Sequence, residues 1–75
     1  MTIYQYDGTN DKCPLPLVKM RVLLKKLTKH DVCVIQISDP SSLSDIPKFL
    51  QQKGYHFQQS QLNIKVTELR ITTGK

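Results

Sequence analysis

The centre of the chain holds the apolar run Val32-Cys33-Val34-Ile35-Gln36-Ile37, which is rich in β-branched residues. A nearly continuous apolar run of this length is typical of a central strand in a sheet. The stretch Asp39-Pro40-Ser41-Ser42 follows it and breaks the strand. The run therefore predicts a strand in the middle of the sheet, with the other elements on either side of it in the sequence.

Before this strand, the sequence predicts a short first strand, a loop and a helix. Residues 3–6 have a β-rich composition, and residues 7–12 are rich in turn formers. The helix runs to about Lys29, and its outer face mixes basic side chains with Val18 and Val22. Its inner face gathers, within an arc of about 120°, Leu17, Met20, Leu23, Leu24 and Leu27.

After the central strand, the sequence predicts a second helix and two more strands. The helix runs to about Lys53, and Gly54 takes the position that follows a helix end. Pro47 must lie in the first turn of this helix or kink it. The two strands are predicted over residues 55–61 and 66–73. Apolar residues change from even to odd positions between them, which indicates either a bulge or a loop over residues 62–65.

The resulting order is β-α-β-α-β-β, which predicts an α+β fold. We expect a two-layer α/β sandwich in which two helices cover one face of a four-stranded mixed sheet. The 75 residues are too few for two domains, so we expect one domain over residues 1–75. The N-terminal residues have neither the basic nor the apolar part of a signal peptide, and no stretch could span a membrane. We therefore expect no membrane partner and a cytoplasmic location.

The net charge of +5 is concentrated in one segment. Residues 12–29 carry six basic and no acidic residues. Such a segment is either a solvated helix face or a docking surface for an acidic partner or a phosphate backbone. It contains no aromatic residue, so it lacks the stacking platform of single-strand readers, and we do not expect direct nucleic-acid binding. The candidate partner-docking residues are Lys12, Lys19, Arg21, Lys25 and Lys26.

Cys13 is the candidate catalytic residue. Pro14 follows it and favours an extended backbone at Cys13, and either Pro14 or Pro16 can be the first residue of the helix. The thiol would then lie at a helix N-terminus, where free N–H groups such as that of Leu15, together with the positive end of the helix dipole, stabilise a thiolate. Lys12 adds positive charge. The alternative is that Cys13 is an inert residue in a turn.

Cys33 has a different environment, because it falls inside the central strand. A buried cysteine there acts as a small hydrophobic residue, and the alternative is a resolving thiol for Cys13. The two cysteines, His30 and His56 do not have the spacing of a zinc site, so we expect no metal and no cofactor. No base or oxyanion donor stands at a diagnostic spacing from Cys13. A lone activated thiol suits transfer of a group between thiols better than hydrolysis.

Four elements of the sequence resemble the TusA/SirA-like sulfur-carrier family: Asp7, Cys13-Pro14-Leu15-Pro16, Asp39-Pro40 and Asp45-Ile46-Pro47. The resemblance implies the same β-α-β-α-β-β sandwich. It also implies that Cys13 accepts sulfane sulfur as a persulfide from a cysteine desulfurase or a rhodanese-like donor and passes it to a downstream acceptor protein. In the best-understood branch, the sulfur ends in 2-thiouridine of transfer RNA. The chain would be a sulfurtransferase-type carrier, not a free-standing turnover enzyme.

Two questions stay open at the level of the sequence. Pro14 and Pro16 are candidates for supporting the start of the first helix. Asp45 is a candidate for supporting a helix start either by capping the second helix or by lying beside Cys13. The function also has alternatives, which are a thiol redox regulator or interaction module and a basic nucleic-acid-binding module.

Overall fold

Four strands and two helices follow one another in the predicted order in a computed structural model that describes residues 2–12 and 15–73. Their bounds are β1 Ile3–Gly8, α1 Leu15–Leu24, β2 Val32–Ile37, α2 Pro40–Gln52, β3 His56–Gln61 and β4 Thr67–Thr72.

The sheet is mixed and has the strand order β1-β2-β4-β3. β1 and β2 run parallel, and β4 pairs antiparallel with both β2 and β3. The apolar run predicted as a central strand is β2, which has a neighbour on each side. The carboxyl ends of the parallel pair lie at the edge of the sheet where α1 and α2 begin, so both helix starts are at the same end of the molecule as the loop that follows β1.

One hydrophobic core lies between the sheet and both helices, which places the two helices on one face and confirms the predicted two-layer sandwich. Cys33 and Ile35 of β2 point into it, and Tyr4 and Tyr6 of β1 pack against it from the partner strand. Among residues 2–12 and 15–73, the buried members of this core are Met20, Leu24, Cys33, Ile35, Ile37, Ile46, Leu50, Leu69 and Ile71.

α1 ends at Leu24, so the prediction of a helix to about Lys29 was wrong. The reason lies in the backbone: the Lys26 and Leu27 N–H groups bond carbonyls three residues back, at 3.0 and 3.2 Å, instead of four. Asp31 holds the segment that follows. Its carboxylate accepts hydrogen bonds from the Thr28 N–H at 3.1 Å and the Thr2 N–H at 2.9 Å. Because the Thr28 N–H is bound to a side chain in this way, it is withdrawn from a continuing helix. The same two bonds, that from Thr2 first, lower the pKa of Asp31.

α2 begins with Asp39 as its N-cap, whose carboxylate accepts from the Ser42 N–H at 2.9 Å and from the Ser42 hydroxyl at 3.1 Å. Pro40 is the first helical residue, where a missing N–H costs nothing. Asp45 is therefore the sixth residue of the helix, and the expectation that it caps the helix was wrong. Pro47 lies inside the helix and not in its first turn. At this interior position, its missing N–H removes one hydrogen bond from the backbone ladder.

The end of α2 and the hairpin that follows agree with the sequence. Gly54 has φ of +80°, a backbone conformation that glycine adopts without strain. The Tyr55 N–H donates to the Leu50 carbonyl at 2.9 Å, which closes the helix end. The change of parity between the last two strands is a loop and not a bulge, because β3 and β4 pair without interruption up to Gln61 opposite Thr67.

Candidate functional site

The backbone on either side of the candidate nucleophile is held together by a hydrogen bond. Cys13 and Pro14 themselves lie outside the described residues. The Leu15 N–H donates to the Lys12 carbonyl at 2.9 Å. The sequence predicted that this N–H would be free to stabilise a thiolate, and that prediction was wrong. α1 begins at Leu15, and Pro16 is its second residue, with its side chain buried. Cys13 is therefore two positions before the first residue of the helix in the sequence.

The loop before Cys13 is fixed by a three-residue network. The Tyr6 hydroxyl donates a hydrogen bond to Asp11 Oδ2, and Lys19 Nζ of α1 lies 3.2 Å from the same oxygen. Lys19 Nζ also lies 5.3 Å from the centroid of the Tyr6 ring, within cation–π range. Asp11 thereby connects β1 with α1 directly across the segment that contains Cys13.

The electrostatics of this network favour the charged form of Asp11. The hydrogen bond from Tyr6 is the largest cause that lowers the pKa of Asp11, followed by the hydrogen bond from Lys19. The pKa of Tyr6 is raised, first by desolvation and then by its bond to Asp11, so the hydroxyl stays protonated and keeps donating. The network is thus intact across the neutral range of pH.

Gly8 makes room for the Tyr6 ring. A Cβ atom at this position would lie 2.9 Å from Tyr6 Cε2, closer than real Cβ contacts allow. A side chain at Gly8 would displace the ring and with it the hydroxyl that reaches Asp11. The glycine is therefore required for a close approach and not for its backbone freedom.

A second set of hydrogen bonds holds the beginning of the same loop. Asp7 Oδ1 accepts from the Thr9 N–H at 3.0 Å and from the Thr9 hydroxyl at 2.6 Å, the latter being the larger cause of a lowered pKa at Asp7. The Ser38 hydroxyl, at the end of β2, donates to the Thr9 carbonyl at 2.6 Å. The Asp11 N–H donates to the Gly8 carbonyl at 3.1 Å. The loop is consequently tied to the sheet at both of its ends.

The basic residues predicted to dock a partner do not form one surface. Lys12 and Lys19 lie at the Cys13 end of α1, and the charge of Lys19 is balanced by Asp11. Arg21 lies across the Phe49 ring of α2, with its Cζ 5.5 Å from the ring centroid. Lys25 and Lys26 come after the last residue of α1, at the far end of the molecule. At a rise of 1.5 Å per residue, Lys25 is about 15 Å along the helix from Leu15.

An apolar stripe continues from the Cys13 end along the exposed side of α1. Leu15, Val18 and Val22 are 42%, 50% and 53% exposed, and their spacing places them on one side of the helix. Val18 and Val22 line a shallow groove with Gln5 of β1. The aliphatic part of the outer face that the sequence predicted is therefore a continuous surface beside the segment of Cys13.

Cys33 is sequestered in the core. Its side chain is 0% exposed, and desolvation raises its pKa to about 11. A thiol with this pKa is protonated at neutral pH and has no path to solvent. The interpretation of Cys33 as a small hydrophobic residue is confirmed, and burial opposes the alternative role as a resolving thiol.

The described residues show neither a metal-binding cluster nor a membrane-spanning helix. Among residues 2–12 and 15–73, no three His, Cys, Asp or Glu side chains come together as metal ligands would. Neither helix of the described chain has the length and apolar character that crossing a membrane requires.

Sequence reasoning missed the network that shapes the loop. Tyr6 and Gly8 are two apart on one strand, and therefore on one face, which is the one signal that could have linked them. Their connection to Asp11 depends on the path of the loop, and the bond from Ser38 joins residues 29 apart in the sequence. Neither of these two connections can be predicted from the sequence pattern.

Comparison with known proteins agrees with the fold described above. The sequence profile of the family described as sulfurtransferase TusA matches residues 4–73. Among solved structures, the fold is similar to that of a SirA-like protein from Desulfitobacterium hafniense, with a TM-score of 0.77 over 100% of both chains and 21% sequence identity.

Proposed function

The chain belongs to the TusA sulfurtransferase family, and from this premise we propose that it is a small sulfur carrier that holds sulfane sulfur as a persulfide on Cys13. The observation that carries the proposal is the state of the other thiol. The chain has two cysteines, and Cys33 is fully buried with a pKa of about 11. Thiol chemistry at neutral pH therefore falls to Cys13.

The transfer is an exchange between thiols. The Cys13 thiolate attacks the outer sulfur of a persulfide on a donor protein, which is a cysteine desulfurase or a rhodanese-like enzyme. A sulfur–sulfur bond forms at Cys13 while the donor's sulfur–sulfur bond breaks, and the electron pair leaves on the donor thiolate. A thiolate of the acceptor protein then attacks the outer sulfur on Cys13 in the same way. No net oxidation occurs, so the relay needs no electron carrier.

Partner contact is proposed to occur at the Cys13 end of α1. The network of Tyr6, Asp11 and Lys19 fixes the loop before a partner arrives, so little ordering is needed on binding. Lys12 is exposed, and the stripe that begins with Leu15 and Val18 offers apolar area next to it. A partner with a reactive cysteine, a nearby acidic group and an apolar rim would fit this end of the molecule.

The proposal places the relay in the cytoplasm, where thiols are kept reduced. Its acceptor is a protein that leads to a thiolated product, and 2-thiouridine of transfer RNA is the product to test first. The carrier is one domain over residues 1–75 and has no cofactor of its own.

The test is mass spectrometry of the intact protein after incubation with a cysteine desulfurase, its pyridoxal phosphate and cysteine. We expect the wild type and Cys33→Ala to gain one sulfur atom and Cys13→Ser to gain none. Alanine is the better replacement at position 33, because serine would place a polar hydroxyl in the apolar core. Removal of the gain by dithiothreitol distinguishes sulfane sulfur from other additions.

The alternatives give different results in the same experiment. A redox regulator would form a mixed disulfide with a small thiol and would show no preference for sulfane donors. Failure of every variant to gain sulfur from both the desulfurase and a rhodanese with thiosulfate would overturn the proposal. Equal loading of Cys13→Ser and the wild type would also overturn it.

A further inference from the structure

A groove lined by cations lies at the end of the molecule away from Cys13. Two adjoining cavities of about 310 and 490 Å³ form it, and they share Lys53 and Tyr55. Volumes of this size accept one or two side chains or a small ligand. This cationic groove is lined by Arg21, Lys25, Lys29, Lys53, Phe49 and Tyr55.

The charge of the groove has one sign. Four cationic side chains from α1, from the segment after it and from the end of α2 converge there, although they are up to 32 residues apart in the sequence. None of the described residues that line the two cavities is acidic. The nearby carboxylate of Asp31 accepts hydrogen bonds from the Thr2 and Thr28 backbone N–H groups. The groove therefore offers a positive surface to an anionic partner.

The floor of the groove is apolar, and one of its two rings, that of Phe49, is covered. Phe49 and Tyr55 are half-buried and pack against the hydrophobic core. The Arg21 guanidinium covers Phe49, with 5.5 Å from its Cζ to the ring centroid. Bases of a single-stranded nucleic acid need a free ring face on which to stack. A protein segment needs only apolar contact area and cations at the right spacing, so the geometry favours a peptide.

We propose that the cationic groove docks an acidic segment of a partner protein, which places an apolar side chain against Tyr55 and its carboxylates against Arg21, Lys25, Lys29 and Lys53. Arg21 is already oriented by Phe49, so it can engage a carboxylate at a lower entropic cost than a free arginine. Arg21 and Lys25 lie about 9 and 15 Å along the direction of α1 from Leu15, the residue where the helix begins. A partner held there leaves the thiol end open to a second protein. This inference goes beyond the proposed sulfur relay and does not depend on it.

The test is a ¹⁵N NMR titration of the Cys13→Ala protein, which cannot carry sulfur at that position. The probe is the amidated, acetylated heptapeptide of sequence EDEFEDE at low salt. We expect amide shifts centred on Arg21, Lys53 and Tyr55 and little change around Tyr6 and Asp11. Replacing the phenylalanine of the peptide by alanine should weaken binding, because the apolar anchor is lost.

Matched charge reversals separate a built groove from general attraction. Lys25→Glu with Lys53→Glu should weaken binding at least about tenfold, which is ~1.4 kcal/mol. Lys48→Glu with Lys65→Glu changes the net charge equally at exposed sites outside the groove and should weaken it less than about threefold. Circular dichroism checks that each variant is folded.

Three outcomes would overturn the inference. One is equal weakening by the two pairs of reversals. Another is binding of an oligouridylate at the groove while the peptide fails to bind, which would make the surface a phosphate site. The third is a set of shifts centred on the Cys13 end. None of these results bears on sulfur loading, which is measured separately.

Discussion

Replacing Cys33 by alanine should lower the free energy of unfolding near neutral pH and raise it at alkaline pH. The comparison is made in a Cys13→Ala background, so that Cys33 is the only thiol that differs between the two proteins. Near pH 8 the substitution removes one buried heavy atom from the core, which should lower the free energy of unfolding by about 1 kcal/mol. At higher pH the thiol itself becomes destabilising.

The magnitude follows from the pKa of the buried thiol. Desolvation raises the pKa of Cys33 from 9.0 to about 11 in the folded protein. Below the unfolded pKa both states hold the proton, and the stability due to the thiol is fully present. As pH rises toward 11, the unfolded state ionises first, so stability is lost. At about pH 10.5 the loss is about 2 kcal/mol, a large part of the ~4–11 kcal/mol expected for a domain of this size.

The assay is urea unfolding of both proteins, followed by circular dichroism at the two pH values. The alanine variant should be about 1 kcal/mol less stable near pH 8 and about 1 kcal/mol more stable near pH 10.5. Lysine and tyrosine ionisation affects both proteins alike and cancels in the difference. A difference that is the same at both pH values would refute the reasoning, because it would mean that the Cys33 thiolate is solvated in the folded state.

Tyr6→Phe should raise the pKa of Asp11 toward its ordinary value, since the hydroxyl is the largest cause that lowers it; the Asp11 carboxyl is titrated by ¹³C NMR, and an unchanged pKa, or the same rise in Tyr4→Phe, would contradict the network. Gly54→Ala should cost about 1–2 kcal/mol in urea unfolding, because φ is +80° and nothing lies within 4 Å of the new methyl group; a cost near zero would place the strain elsewhere. Asp39→Ala should cost about 1–2 kcal/mol through loss of the cap and of the partner of buried Ser42, whereas Asp39→Asn should restore most of the loss and exposed Ser44→Ala should cost little. Equal effects of the Asp39→Ala and Ser44→Ala substitutions would argue against Asp39 as the cap.

Local patterns were sufficient to predict most of the fold. The apolar run of β2 has the composition of a strand with neighbours on both sides, and the structure pairs it with β1 and β4. Gly54 was predicted to follow the end of α2, because glycine is the residue type that most readily adopts the positive φ found there. The periodicity of α1 predicted its buried face, with Met20 and Leu24 in the core.

The errors arose where a side chain from another part of the chain determines the local structure. The segment after α1 is held by Asp31, which binds the Thr28 N–H and the distant Thr2 N–H. The start of α2 was compatible with more than one cap, and Asp39 takes that role in place of Asp45. Such competitions are decided by tertiary geometry, which a periodic pattern does not contain.

The candidate site was predictable as a segment but not as an arrangement. Cys13 and its prolines stand out in the sequence, whereas Asp11 becomes a link between β1 and α1 through the loop path. The basic segment looked like one surface. The structure divides it, because Arg21 turns to Phe49 of α2 and joins Lys53 at the far end.

The most direct test of the central claim is to locate the sulfur within the unaltered protein. The wild type is loaded by a cysteine desulfurase, trapped with an alkylating agent that preserves persulfides, digested and analysed by tandem mass spectrometry. We expect the extra sulfur on the peptide that contains Cys13 and none on the peptide that contains Cys33. The sulfur should disappear when an acceptor thiol is added before trapping. Sulfur on Cys33, or sulfur on Cys13 that no thiol can remove, would contradict the proposed relay.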